Sequence, residues 1–200
     1  MSVPREKLVI HPVTPGRWGD LVRLFGPRGA CAGCWCQWAR KTSAEFRRDA
    51  GDANRRSLRR LVASGIPVGL LAYLEGVPVG WCAVAPRSEL KRLSTSRVLA
   101  PVDEKPVWSA PCFFVTKEAR GRGLTVALLR GAARYAAARG AGVLEGYPLD
   151  PGDKRTPGAF AWWGLASAFA NAGFREVERR SPTRPIVRRN LRPARKPRRG

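Results

Sequence analysis

The stretch that most constrains this chain is CFFVTKEARGRGLTVALL, residues 112–129. An apolar run, Cys112 to Val115, leads into a basic turn containing Gly121 and Gly123, and then into an Ala- and Leu-rich segment. In that segment Leu124, Leu128, Gly131 and Tyr135 fall on one helical face, and the helix is expected to end at Gly140. An apolar strand of this kind needs cover on both faces, and the helix needs a sheet to bury its stripe against, so the pair predicts a layered α/β domain. The turn between them has chemistry of its own. Amides at a helix start, with the helix dipole behind them, attract anionic oxygens. Gly121 and Gly123 let a ligand approach the backbone, and Arg120 and Arg122 add charge. A diphosphate is the natural ligand. The segment is neither a P-loop, lacking G-x-x-x-x-G-K-[ST], nor a G-x-G-x-x-G turn, because Val126 stands where the third glycine belongs.

The remaining elements fit around this unit. KLVIHPV reads as a first strand stopped by Pro12 and Pro15. Trp18, Leu21, Val22 and Phe25 have helical spacing. Thr42 and Glu45 form a T-x-x-E capping box, and Leu58, Leu61 and Val62 mark the inner face of a basic helix ending near Gly65. Two apolar runs flank Glu75-Gly76 and predict a hairpin. Residues 87–106 are polar and irregular. VWSAPCFFV is a fourth, central strand, AGVLEGYPL a fifth, FREVER a sixth and PIVRRNL a seventh. A helix is expected over GAFAWWGLASAFANAGF. The order predicts an α/β (α+β mixed) fold with a mixed sheet of six to seven strands flanked by helices. At 200 residues, one domain over 1–190 and a basic tail over 191–200 are expected.

Arg120-Gly121-Arg122-Gly123-Leu124-Thr125 resembles the [RQ]-x-x-G-x-[GA] pyrophosphate motif of the GNAT acyltransferase superfamily, with Thr125 in place of the small last residue. Phe169-Ala-Asn-Ala-Gly-Phe is similar to the Y-x-x-x-G-F ending of that family's last major helix. With the order of elements, the resemblance spans roughly residues 5–190. It implies a mostly antiparallel sheet splayed between strands four and five. It also implies acetyl-CoA as co-substrate, with no metal, and direct transfer of the acetyl group to an amine. Phe114 and Val115 would pair with pantetheine, and Arg120, Gly121, Arg122, Gly123, Leu124 and Thr125 would hold the diphosphate. The family's tyrosine acid falls at Phe169, which has no proton to donate. Ser167, Tyr147 and solvent are the alternatives. Glu145, the only acid in strand four or five, is the candidate base, with partnership to an arginine as the other reading. His11, the single histidine, reads as structural.

The acceptor wall implied by the resemblance includes CAGCWCQWAR, with Trp35 and Trp38 as candidate acceptor contacts. Cys31, Cys34 and Cys36 admit three readings: packing or pocket lining, zinc, and a redox or acyl-accepting thiol. Of the pair Trp162-Trp163, one is expected to pack and the other to border the site. The net charge is +22, of which residues 179–200 contribute ten Lys/Arg and no acid. Such a surface attracts anions. The resemblance implies a small-molecule or protein amine as acceptor; the charge makes an RNA-linked acceptor such as aminoacyl-tRNA one alternative and a non-enzymatic basic nucleic-acid-binding protein another. No apolar run approaches a membrane span and no signal-peptide core is present, so a cytoplasmic protein is expected; a homodimer is left open.

Overall fold

The computed structural model describes residues 7–152 and 162–192. Seven strands form one sheet: β1 (Leu8–Pro12), β2 (Gly69–Leu74), β3 (Val77–Pro86), β4 (Trp108–Val115), β5 (Val143–Gly146), β6 (Arg175–Arg179) and β7 (Pro185–Asn190). Their spatial order is β1-β2-β3-β4-β5-β7-β6, antiparallel everywhere except between β4 and β5. The helices are α1 (Trp18–Phe25), α2 (Ser43–Arg48), α3 (Asp52–Ala63), α4 (Lys91–Thr95), α5 (Leu124–Ala137) and α6 (Ala166–Asn171). The expected mixed sheet with flanking helices is the observed one. Among the described residues no helix is long and apolar enough to cross a membrane.

The central strands are apolar at nearly every position because both of their faces are covered. Leu70, Ala72, Cys82 and Val84 point to one side and pack with Leu128, Leu129 and Ala132 of α5 and Phe169 of α6. Their neighbours Leu71, Tyr73, Trp81 and Ala83 point to the other side and meet Leu21 of α1 and Leu58 and Val62 of α3. The capping box forms as expected: Thr42 Oγ1 accepts from the Glu45 N–H, and the Glu45 carboxylate accepts from the Thr42 N–H. The irregular segment after β3 contains one helical turn over Arg87–Glu89 and then α4.

The helix expected over GAFAWWGLASAFANAGF is shorter than its composition predicts. Residues 158–161 lie outside the described part, Gly164 has φ +76°, and α6 starts only at Ala166. A left-handed residue cannot continue a right-handed helix, so Gly164 separates the tryptophan pair from α6. Of the expected tail, residues 193–200 also lie outside the described part.

The β4–β5 contact positions everything that follows. It runs only through Trp108↔Leu144, Ser109↔Glu145 and Ala110↔Gly146. Beyond Ala110, β4 continues for five residues, from Pro111 to Val115, with no partner on that side among the described residues. Pro111 has no N–H to extend the ladder at the point where the strands part. Phe169 fills the base of the gap. Its ring lies against Phe113 at 5.8 Å and Phe174 at 5.0 Å, and a Cβ on Gly146 would meet Phe169 Cε1 at 2.0 Å.

Because Phe169 is fully buried and cannot swing away, Gly146→Ala is expected to destabilise the fold by about 1–3 kcal/mol through overpacking. Phe169→Leu combined with Gly146→Ala should cost less than the sum of the single changes. A urea-denaturation double-mutant cycle that is strictly additive would show that the two do not meet.

Candidate active site

The first element of the site is a helix start with open amides. Gly121 and Gly123 have φ of +78° and +72°, and Gly123 is the N-cap of the 14-residue α5. A side chain at either position would strain the backbone even though open space surrounds both. The first intrahelical bond runs from the Ala127 N–H to the Gly123 carbonyl at 3.2 Å. The N–H groups of Leu124, Thr125 and Val126 come before it and are not consumed by the helix. Arg120 sits beside them, its Nε donating to the Val115 carbonyl at 3.4 Å.

These residues open into a cavity of about 490 Å³. Phe113, Phe114 and Val115 from the unpaired half of β4 line one side, with Arg120, Gly121, Gly123, Leu124, Thr125 and Val126 below. Trp162, Gly164, Leu165 and Ala168 close the opposite side, and Ala30 and Cys31 reach in from the cysteine loop. The structure thus brings Phe114, Val115, Arg120, Gly121, Gly123, Leu124 and Thr125 together around one space. Arg122 lies on the same exposed turn but outside the lining. Such a cavity can hold an anion at one end and an extended, mostly apolar chain along its length, with strand backbone on one side.

Glu145 and Tyr147 lie elsewhere. Two residues apart on β5 and its extension, they project to the same face, and both are fully buried. Glu145 Oε1 accepts from Arg87 Nη1 at 3.0 Å and from the Tyr147 hydroxyl at 2.6 Å, and Oε2 accepts from Arg188 Nε at 2.7 Å. The Tyr147 oxygen also accepts from Arg87 and lies 2.9 Å from the Ser109 hydroxyl. Since its one proton goes to Glu145, Ser109 is the donor in that pair. Burial, and then the adjacent Glu145 charge, push the Tyr147 hydroxyl well above its ordinary pKa. A carboxylate with two arginines on it and a phenol with every bonding position filled have no group left for a substrate. Of the two readings of Glu145, the geometry is that of the arginine partner.

The tryptophans also separate by position. Trp35 is 3% exposed and belongs to the core, stacked on Trp18 at 6.2 Å with Phe25 edge-on at 5.8 Å. Trp38 is half-buried between Trp162, Trp163 and the guanidinium of Arg92, which lies 4.8 Å from its ring. Neither lines the cavity; large aromatic rings that pack edge-on bury more area than they would in a wall. Trp162 is the tryptophan that does, while its neighbour Trp163 packs at 8% exposure.

The cysteines take three different places. Cys31 is exposed at the cavity. Cys34 Sγ donates to the Gly29 carbonyl at 3.2 Å, and burial pushes its thiol up to about 11. Cys36 Sγ accepts from Trp81 Nε1 at 3.0 Å, and contact with Cys36, together with burial, raises the Cys112 thiol. A protonated thiol is neither a good nucleophile nor a ligand. Among the described residues no group of three or more His, Cys, Asp or Glu converges as a metal site would require. His11 packs edge-on against Tyr73 at 5.7 Å.

Sequence reasoning passed over Ala30, Leu165 and Ala168 in the cavity wall and Arg87 and Arg188 in the buried network. Small apolar residues carry no local signal of a wall. Arg87 is one of 37 basic residues and is distinguished only by what folds around it.

Comparison with known proteins agrees with this geometry. The family model described as the acetyltransferase (GNAT) family matches residues 34–148. A GNAT-family acetyltransferase from Listeria monocytogenes superposes with a TM-score of 0.56 at 10% identity, over 96% of this chain and 99% of that one. An aminoglycoside N-acetyltransferase in complex with CoA gives 0.54 at 17% identity, over 89% and 95%. The PaiA N-acetyltransferase from Thermoplasma acidophilum, in complex with coenzyme A, gives 0.51 at 11% identity, over 92% and 99%. At these identities the likeness is one of fold. No curated protein matches the chain.

Glu145→Gln removes the charge that two buried arginines share, and it should cost about 3–5 kcal/mol, the usual penalty for breaking a buried ion pair. Thermal denaturation should therefore show a large loss of stability. Full stability combined with loss of acetyl transfer that is restored at high pH would instead identify a base.

Proposed function

This chain belongs to the acetyltransferase (GNAT) family and is an acyltransferase, and from that premise we propose that it moves an acetyl group from acetyl-CoA to an amine of a small molecule or protein by direct attack. The observation that carries this reading is the single cavity joining the open amides of α5 to the unpaired half of β4. The residues present fit the co-substrate. Three N–H groups, a left-handed glycine turn and Arg120 suit a diphosphate, and the apolar wall of Phe114, Leu124, Val126 and Ala168 suits an extended pantetheine arm. The CoA complexes among the structural neighbours support the same choice.

When bound, acetyl-CoA supplies an activated thioester: the acceptor nitrogen forms the amide bond as the carbon–sulfur bond breaks. This chain contributes position and polarity. Backbone along Phe114 and Val115 orients the acyl arm, and the Val115 N–H is the donor proposed for the carbonyl oxygen as charge develops there. The acceptor must arrive as a neutral amine. In this reading water receives the amine proton and protonates the departing thiolate. Phe169 has no proton, and the Tyr147 hydroxyl is committed to Glu145. A thiol of ordinary pKa leaves readily without an acid.

At about 100 times its Kd, CoA should stabilise the folded chain by about 2.7 kcal/mol, which for this length is a Tm rise of roughly 5–10 °C. Arg120→Glu with Gly123→Glu should abolish the rise measured from the variant's own Tm. Thiol release from acetyl-CoA across an amine library then identifies the acceptor. An equal CoA shift in both proteins would remove the assigned site.

A further inference from the structure

We infer that the arginine face of α3 is a docking surface for the phosphodiester backbone of nucleic acid. Within DANRRSLRRLVA, Arg55, Arg56, Arg59 and Arg60 are all exposed. At 100° per residue they spread over about 140° of the helix circumference, and each i,i+4 pair is separated by about 6 Å along the axis. The opposite face, Asn54, Leu58 and Val62, is buried in the core, so the helix cannot turn its arginines inward. Like charges at i,i+4 repel, and a folded helix presents four of them together only at a cost. Among the described residues none of the four has an acidic partner at ion-pair distance, although Asp52 stands on the same helix. Some other exposed arginines do have such partners: Arg48 pairs with Asp49, Arg179 with Asp150 and Glu176, and Arg180 with Glu178. Arg28, Arg97 and Arg134 have none among the described residues either, but they are scattered over separate elements.

The chemistry of the face selects its partner. Guanidinium forks match phosphate oxygens in pairs, and a rigid row of them suits a chain of regularly spaced phosphates. An amphipathic helix that binds membranes must lay its apolar side into lipid, whereas the apolar side of α3 is already buried against α1 and the sheet. The exposed face has no aromatic or large aliphatic residue to anchor a folded protein partner. A chain of +22 net charge adds long-range attraction for a polyanion.

The face also stands next to the cavity. Asn54 Nδ2 and the Gly51 N–H both donate to the Gly33 carbonyl, at 3.1 and 2.9 Å. Gly33 belongs to the loop whose Ala30 and Cys31 line the cavity, and Arg55 lies 5.2 Å over the Trp35 ring of that loop. A polyanion held along α3 is therefore tied to the same loop that borders the site.

The test uses the full chain and fluorescein-labelled single-stranded RNA, duplex RNA and duplex DNA of equal length, with anisotropy read over a series of salt concentrations. In the variant with Arg55, Arg56, Arg59 and Arg60 all changed to Gln, the Kd should rise at least tenfold at low salt. The slope of log K against log salt should flatten by about 3, since each phosphate contact contributes roughly 0.7–0.9. A control with the same loss of charge elsewhere, Arg28, Arg97, Lys105 and Arg134 changed to Gln, should keep most of the affinity and slope. The three nucleic acids together show which backbone is preferred. The inference is overturned if wild type binds none of them at low salt, or if the two quadruple variants weaken alike. It is also overturned if deleting residues 193–200 removes the binding while the α3 variant keeps wild-type affinity, or if poly-glutamate or anionic vesicles compete as well as nucleic acid at equal charge. The inference does not rest on the proposed acetyl transfer. The CoA-dependent Tm shift, measured on the same variants, reports on that reading separately and should be unchanged in the α3 variant.

Discussion

Glu145 is a buried carboxylate in the middle of the sheet, and the arrangement around it decides the shape of the site. It lies in register with Ser109 on β4 and Arg188 on β7, so one rung crosses three strands. Arg87 enters from the end of β3 and also donates to the carbonyls of Leu93 and Leu99, fastening the irregular segment beneath the sheet. Arg188 extends the network to Asp103 at 2.7 Å. An uncompensated charge here would be very costly, and each member is retained by the others. The rung is the second to last of the β4–β5 pairs. The two strands are therefore held together by charge directly below the point where they part, and they can diverge above it without coming loose below.

The opening above that rung is kept by complementary shapes. Gly146 leaves room for the Phe169 ring, and that ring, with Phe113, holds the wedge apart at its base. Phe169 thus has a structural position at the place where the family resemblance implies a tyrosine acid. Its buried, apolar setting would not hydrate a hydroxyl. The catalytic contribution proposed for this chain accordingly rests on backbone groups and placement rather than on a titrating side chain.

Charge is distributed by function as well as by quantity. Arg87 and Arg188 are consumed inside the network, Arg179 and Arg180 in surface pairs, and Arg120 beside the cavity. The face of α3 gathers four exposed arginines with no acidic partner among the described residues. A count of 37 basic residues does not distinguish these uses, because a guanidinium reads the same in sequence whether it is buried against a carboxylate or turned to solvent.

Local chemistry was legible from the chain alone. Apolar runs, the Glu75-Gly76 turn, the Thr42–Glu45 capping box and the RGRG turn each depend on residues within a few positions of one another, and the sheet, its helices and the family followed from them. The roles of Glu145, Tyr147, Trp35 and Trp38 did not follow, because Glu145 and Tyr147 depend on partners 38 to 60 residues away, Trp38 on Trp162 and Trp163, and Trp35 on how α1 packs against its loop. A lone acid on a strand reads as a base until Arg87, just after β3, and Arg188 of β7 are seen to close on it. A tryptophan in a loop reads as a pocket wall until Trp18 and Phe25 stack against it. Short-range periodicity and turn chemistry determined which elements form. Long-range packing alone decided which side chains face the cavity and which are enclosed by the core.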